Sequence, residues 1–110
     1  MNKLSLTALV RTELEAAALA SNGRSARTVY GGHEHVLRQT VIALLAGQEL
    51  QEHENPGEAT VQVLRGRVRL VSGDVSWEGS SGDLLIVPDA RHRLEAHEDA
   101  VVLLTVAKLG

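Results

Sequence analysis

Gly82-Asp83-Leu84-Leu85-Ile86-Val87-Pro88-Asp89-Ala90-Arg91-His92 is the stretch from which the fold can be read. Gly82 supplies a turn, and the aliphatics at 84–87 form a run too short for a helix but right for a buried strand. Pro88 has no N–H to give to a ladder, so it should end that strand rather than interrupt it. His92 then stands at the start of the next strand.

The same pattern extends in both directions. Short β-branched runs at 36–46, 60–64, 67–71, 74–78, 83–88, 91–96 and 100–107 are separated by turn residues. The turns fall at Gly47, Pro56-Gly57, Arg65-Gly66, Ser72-Gly73, the cluster 79–82 and Glu98-Asp99. In Arg67-Val68-Arg69-Leu70-Val71 charges alternate with aliphatics, as on a strand with one wet face. Many short strands with no helical crossover predict an all-β sandwich or closed barrel. Ahead of them, residues 5–20 put Leu6, Leu9, Val10, Leu14 and Ala17 on one stripe, with Arg11, Glu13 and Glu15 elsewhere. That is the period of an amphipathic helix, which Asn22-Gly23 would stop. Residues 21–35 read as a polar connection, so the expected organisation is one unit: helix and leader over 1–35 and a barrel over 36–110.

Composition narrows the function. The 110 residues suffice for one domain, and with 44% hydrophobic but only 2% aromatic residues its core must be aliphatic. A net charge of −3, with Lys and Arg scattered among acids, disfavours nucleic acid and anionic membranes as partners. The absence of cysteine rules out disulfides and thiolate metal sites. Glu13 and Glu15 break the apolar character a signal peptide would need, and the longest apolar run, 41–46, is far below membrane-spanning length. The expected location is cytoplasmic.

Of the histidines at 33, 35, 53, 92 and 97, His53 and His92 stand in the most suggestive settings. His53 follows Gly47 by six positions and precedes Asn55 by two, so on an extended strand 53 and 55 share a face. Imidazole is a ligand for zinc, iron, copper or nickel, and an Asn oxygen can add weakly. His33-x-His35 is a second pair at strand spacing, which reads first as a solvated pair on the leader and otherwise as joining the site or covering a neighbouring subunit. His97, beside Glu95 and Glu98 near a turn, is a surface residue. Neither a nucleophile elbow nor a phosphate-binding glycine loop is present.

The framework Gly47, His53, Asn55, Gly66 followed by Gly82, Pro88, Ala90, His92 resembles the two motifs of the cupin family. The first family motif reads glycine, five residues, His-x-His, three or four residues, Glu, six residues, glycine. The second reads glycine, five residues, Pro-x-Gly, two residues, His. The resemblance covers about residues 37–107 and implies a double-stranded β-helix, the cupin jelly-roll barrel, with one N-terminal α-helix. It also implies where a metal would sit. Carried over by position, the family's ligands become His53, Asn55, Ala59 or Thr60, and His92. His53 and His92 are thus the strong candidate metal ligands, for zinc, iron, nickel or manganese, and sites of this kind usually supply three or four protein ligands. Alternation puts Gln62 with Thr60, so His53, Asn55, Thr60, Gln62 and His92 form the candidate ligand-binding set.

Cupins support many chemistries, and fold alone does not choose among them. The leading expectation is a small-molecule binder, with or without a divalent metal, and with no established turnover. The alternative is a metal-dependent enzyme of the oxygenase or isomerase kind, its catalytic residues unassigned, and a third is a dimerisation scaffold. A homodimer is expected because aliphatics occupy both faces of Val61-Gln62-Val63 and of 101–106.

Overall fold

Alternation of aliphatic and polar residues becomes alternation of buried and more exposed side chains along several of the strands. A computed structural model of the chain describes residues 3–53 and 57–108. One helix, α1 (Leu6–Leu19), precedes nine strands: β1 (Arg24–Tyr30), β2 (Leu37–Leu44), β3 (Glu49–His53), β4 (Gly57–Arg65), β5 (Arg67–Ser72), β6 (Val75–Ser80), β7 (Leu84–Ile86), β8 (His92–Ala96) and β9 (Ala100–Lys108). They form two antiparallel sheets, in the orders β1-β2-β9-β4-β7 and β3-β8-β5-β6.

The space between the sheets is filled by aliphatics: Ile42, Leu44, Val61, Val63, Leu85, Ala100 and Val102 from one sheet meet Val68, Leu70, Leu94 and Ala96 from the other. Burying a Val or Leu side chain contributes roughly 1.5–3 kcal/mol, so this layer dominates the stability of a chain with so few rings. Gly79 fixes how close the sheets come. A Cβ there would stand 3.1 Å from Val63 and 3.2 Å from Leu85, so both side chains would have to give by a few tenths of an ångström to keep β6 against β4 and β7.

A second cluster lies on the outer face of the five-stranded sheet, where Leu9 and Ala17 of α1 cover Val41, Ala43, Val101 and Leu103. Ser5 caps the helix, its side chain accepting from the Ala8 N–H at 3.2 Å. The apolar stripe has one polar member. Glu13, expected away from the stripe, is buried between Leu9 and Ala17, four residues from each. The Ser25 hydroxyl donates to the Glu13 backbone oxygen at 2.8 Å and lies 3.0 Å from Oε1, which makes this burial tolerable and ties α1 to β1.

The structure corrects the reading of 21–35 as a connection, because residues 24–30 form β1, paired along most of its length with β2. Arg24-Ser25-Ala26-Arg27-Thr28-Val29-Tyr30 has too few aliphatics to show as a strand on pattern, and its pairing comes from β2. Pro88 behaves as expected: β7 ends at Ile86, and the Val87 N–H donates to the Ala59 oxygen at 3.0 Å. The one helix among the described residues is not long and apolar enough to cross a membrane.

Candidate functional site

His92, Leu94 and Ala96 are the buried members of β8, alternating with half-buried Arg93 and Glu95. His92 therefore faces the interior, only 5% exposed. Its Nδ1 lies 2.9 Å from the Ala90 oxygen. A carbonyl can only accept, so in the neutral ring Nδ1 carries the proton and Nε2 keeps the lone pair. This backbone contact orients the imidazole and fixes its tautomer, as seen in histidines that present Nε2 to a metal or ligand.

β3 pairs with β8 through Glu49 opposite Glu95 and Leu50 opposite Leu94, and then His53 opposite His92. Three steps along β3 match two along β8, so an extra residue is accommodated between 50 and 53. That irregularity sets position 53, rather than 52, across from His92. Cα atoms directly opposite in an antiparallel pair are about 4.5–5.5 Å apart, well inside the spacing that joint action on one ligand needs. The structure describes His53 by its backbone only, and Asn55 lies outside the described residues.

Thr60 and Gln62 are corrected. On β4 the interior positions are Ala59, Val61 and Val63, and Gln62 is exposed on the opposite face. The expectation was out by one residue, and in a strand a slip of one moves every side chain to the other face. The core takes Val61 and Val63, which leaves Gln62 in register with Leu84 and Leu103 on the outer surface. Leu64 packs toward the helix. Thr60 lines an outer groove of ≈ 510 Å³ with Ile86, Thr105 and Ala107, bordered by Glu58 and Asp89. The two residues therefore cannot join His92 inside the sandwich. The position at which the cupin motif has Glu is occupied inwardly by the methyl of Ala59.

Two interior polar residues were missed. On β2 the buried Ile42 and Leu44 belong to the inter-sheet core, so Thr40 and Arg38, in the same alternation, lie on the interior face, both half-buried. Register orders the interior in tiers. Ile42, Val102 and Val63 form the first tier, and Gly79 places Val68 and Ala96 level with it. Thr40, Leu104 and Val61 follow, facing Leu50, Leu94 and Leu70. The outermost tier has Arg38, Val106 and Ala59 on one sheet and positions 53 and 92 on the other. The signal was available in Arg38-x-Thr40-x-Ile42-x-Leu44, a charge placed on the inward alternation of a strand.

Among the described residues no group of three or more His, Asp or Glu is arranged to hold a metal ion. His33 and His35 are exposed between β1 and β2, with Tyr30 edge-on to His35 at 5.3 Å between ring centres. His97 is exposed, 3.4 Å from Glu95. On that outer face the Arg93 guanidinium donates to Glu95 at 3.0 Å and is the main reason the Glu95 carboxyl is held below its ordinary value. Partial burial opposes the shift, while His97 and Arg69 add to it.

No family model and no curated protein matches the chain. Solved structures do. A conserved protein of unknown function from Streptococcus pyogenes superposes with a TM-score of 0.74 at 28% identity, over 83% of this chain and 79% of that one. An RmlC-like cupin from Desulfovibrio desulfuricans matches with a TM-score of 0.67 at 28% identity, over 76% and 81%. The fold is that of a small RmlC-like cupin domain. Cupins of this shape include enzymes: a salicylate 1,2-dioxygenase from Pseudaminobacter salicylatoxidans superposes at 0.74 with 18% identity, over 91% of this chain but 33% of its own. At that identity the likeness is one of fold.

Proposed function

We propose that this cupin binds a small molecule at the open end of the sandwich, against His92, and does so without turnover. The observation that supports it most is the buried His92 ring, set by the Ala90 oxygen so that Nε2 is the accepting nitrogen. A polar group held in one tautomer inside an aliphatic layer suits recognition, since it fixes the orientation of a bound group. Below this tier Leu94, Leu70 and Val61 close the interior, so the ligand is small.

The pairing of position 53 with 92 favours a second reading, a metal-dependent enzyme of the oxygenase or isomerase kind. Its donor set does not fit well: Ala59 offers no oxygen, Thr60 and Gln62 lie on the other face of β4, and only His92 is described as an interior imidazole. A divalent ion usually needs three or four protein ligands.

Fragment screening by NMR on protein without a polyhistidine tag tests the proposal. Hits should shift the amide resonances of Val87, His92 and Leu94, and His92→Gln should weaken them. Hits confined to the groove around Thr60 and Thr105 would move the site to the outer surface. Titration with zinc or nickel decides the second reading: one-to-one, sub-micromolar binding lost in both His53→Ala and His92→Ala would establish it in place of the first.

A further inference from the structure

Arg38 is the only cation on the interior face of β2, in register with Val106 and, through it, Ala59, at the end of the sandwich where β8 begins with His92. A guanidinium is always charged and presents donors in a planar fork. Half-buried between two sheets, it loses part of its hydration, a loss that proteins ordinarily offset with a paired acid. Among the described residues no carboxylate forms an ion pair with Arg38, although the chain is acidic overall. Among the described acids, Glu58 and Asp89 border the outer groove. Thr40, one tier deeper on the same strand face, adds a hydroxyl.

We infer that the open end of the sandwich selects a small carboxylate, with Arg38 as its counter-charge. The inference rests on the proposed binding site and deepens it by naming the ligand's chemical class. A carboxylate has the geometry that matches a guanidinium fork, with two oxygens able to take parallel hydrogen bonds. Its single negative charge is balanced by the single charge of Arg38. A phosphate dianion would be left with half its charge unmatched by Arg38. Apart from Thr40 the residues deeper on these faces are aliphatic, Leu104 and Val61 on one sheet and Leu50 and Leu94 on the other, so the remainder of the ligand is apolar and short.

The test uses benzoate and benzamide, nearly the same in shape and differing in charge. Each is titrated into ¹⁵N-labelled full-length protein at fixed ionic strength. Benzoate should shift the resonances of Thr40, Val87 and His92, and benzamide should bind much more weakly. Arg38→Gln should weaken benzoate by about tenfold or more, and Arg38→Lys, which keeps the charge without the fork, by less. Unchanged chemical shifts away from β2 in the unliganded Arg38→Gln protein establish that its fold is intact, and Arg38→Lys gives a second reading of the same position. Equal binding of the two probes at the mouth, or equal benzoate affinity in Arg38→Gln and the parent, overturns the carboxylate inference while leaving the binding site in place. If neither probe shifts a resonance of the outer tier, both the inference and the site fail.

Discussion

Arg93, Glu95 and His97 alternate along and just beyond β8, so they share its outer face while His92 and Leu94 go inward. One short strand thus separates a solvated ion cluster from the candidate site. Glu95 is in register with Glu49 on one neighbouring strand and Arg69 on the other, and Arg93 supplies the closest positive charge. A carboxyl whose folded value is depressed adds stability that is complete above its unfolded value and is lost as pH falls through the folded one. Acidification below the ordinary carboxylate range should therefore release this contribution. Arg93→Ala should raise the Glu95 titration midpoint toward the ordinary value, followed through the side-chain carboxyl carbon by NMR. A midpoint unmoved by the substitution would show that Arg93 is not the main cause. His92 contributes through its buried ring and its contact with the Ala90 oxygen, so replacement by Ala should cost about 1–3 kcal/mol in urea unfolding.

At the scale of elements, the strands whose aliphatic runs are set off by turn residues were legible: β5, β7, β8 and β9 fall within a residue or two of the runs read from 67–71, 83–88, 91–96 and 100–107. β1 was not, because a strand covered by a helix on one side and carrying Arg, Ser and Thr has no aliphatic alternation to show. β4 was recognised as a strand but assigned the wrong inward face. Thr60-Val61-Gln62-Val63-Leu64 has aliphatics at 61, 63 and 64, and anchoring it on the cupin Glu position set the even numbers inward. The same dependence on local irregularity affects β3, where an extra residue between Leu50 and His53 shifts the register against β8. Helix placement is sensitive to one bond from β1. Ser25→Ala removes the donor that satisfies Glu13 and should lower stability by about 1–3 kcal/mol, measured by urea unfolding. The loss should be largely absent when Glu13 is also replaced by Gln or Ala, because the buried carboxylate is then gone.

For the whole molecule, the surplus of apolar surface that suggested a homodimer is partly used internally. Val101 and Leu103, the outward aliphatics of β9, are covered by the chain's own helix. At the far edge of that sheet Leu84 and Ile86 of β7 remain uncovered, 58% and 68% exposed. An edge strand with unpaired backbone groups and outward aliphatics is a natural contact for a second copy. The expected assembly is a homodimer through β7, and Ile86→Lys should convert it to a monomer in sedimentation velocity at micromolar concentration without altering the circular dichroism. A parent protein that already sediments as a monomer would remove the dimer altogether.

Gly31 has a bearing on recognition that its position conceals. Its φ is +90°, and a Cβ there would lie 2.1 Å from the Leu37 oxygen and 2.9 Å from the Arg38 Cα. The turn after β1 therefore presses directly on the backbone that carries the guanidinium. Any side chain at 31 would push the first residues of β2 aside, and the aim of Arg38 would change with them. The charge selectivity proposed for Arg38 would thus be calibrated by an atom that is missing, and drift at position 31 would strain the turn and the aim of the guanidinium together.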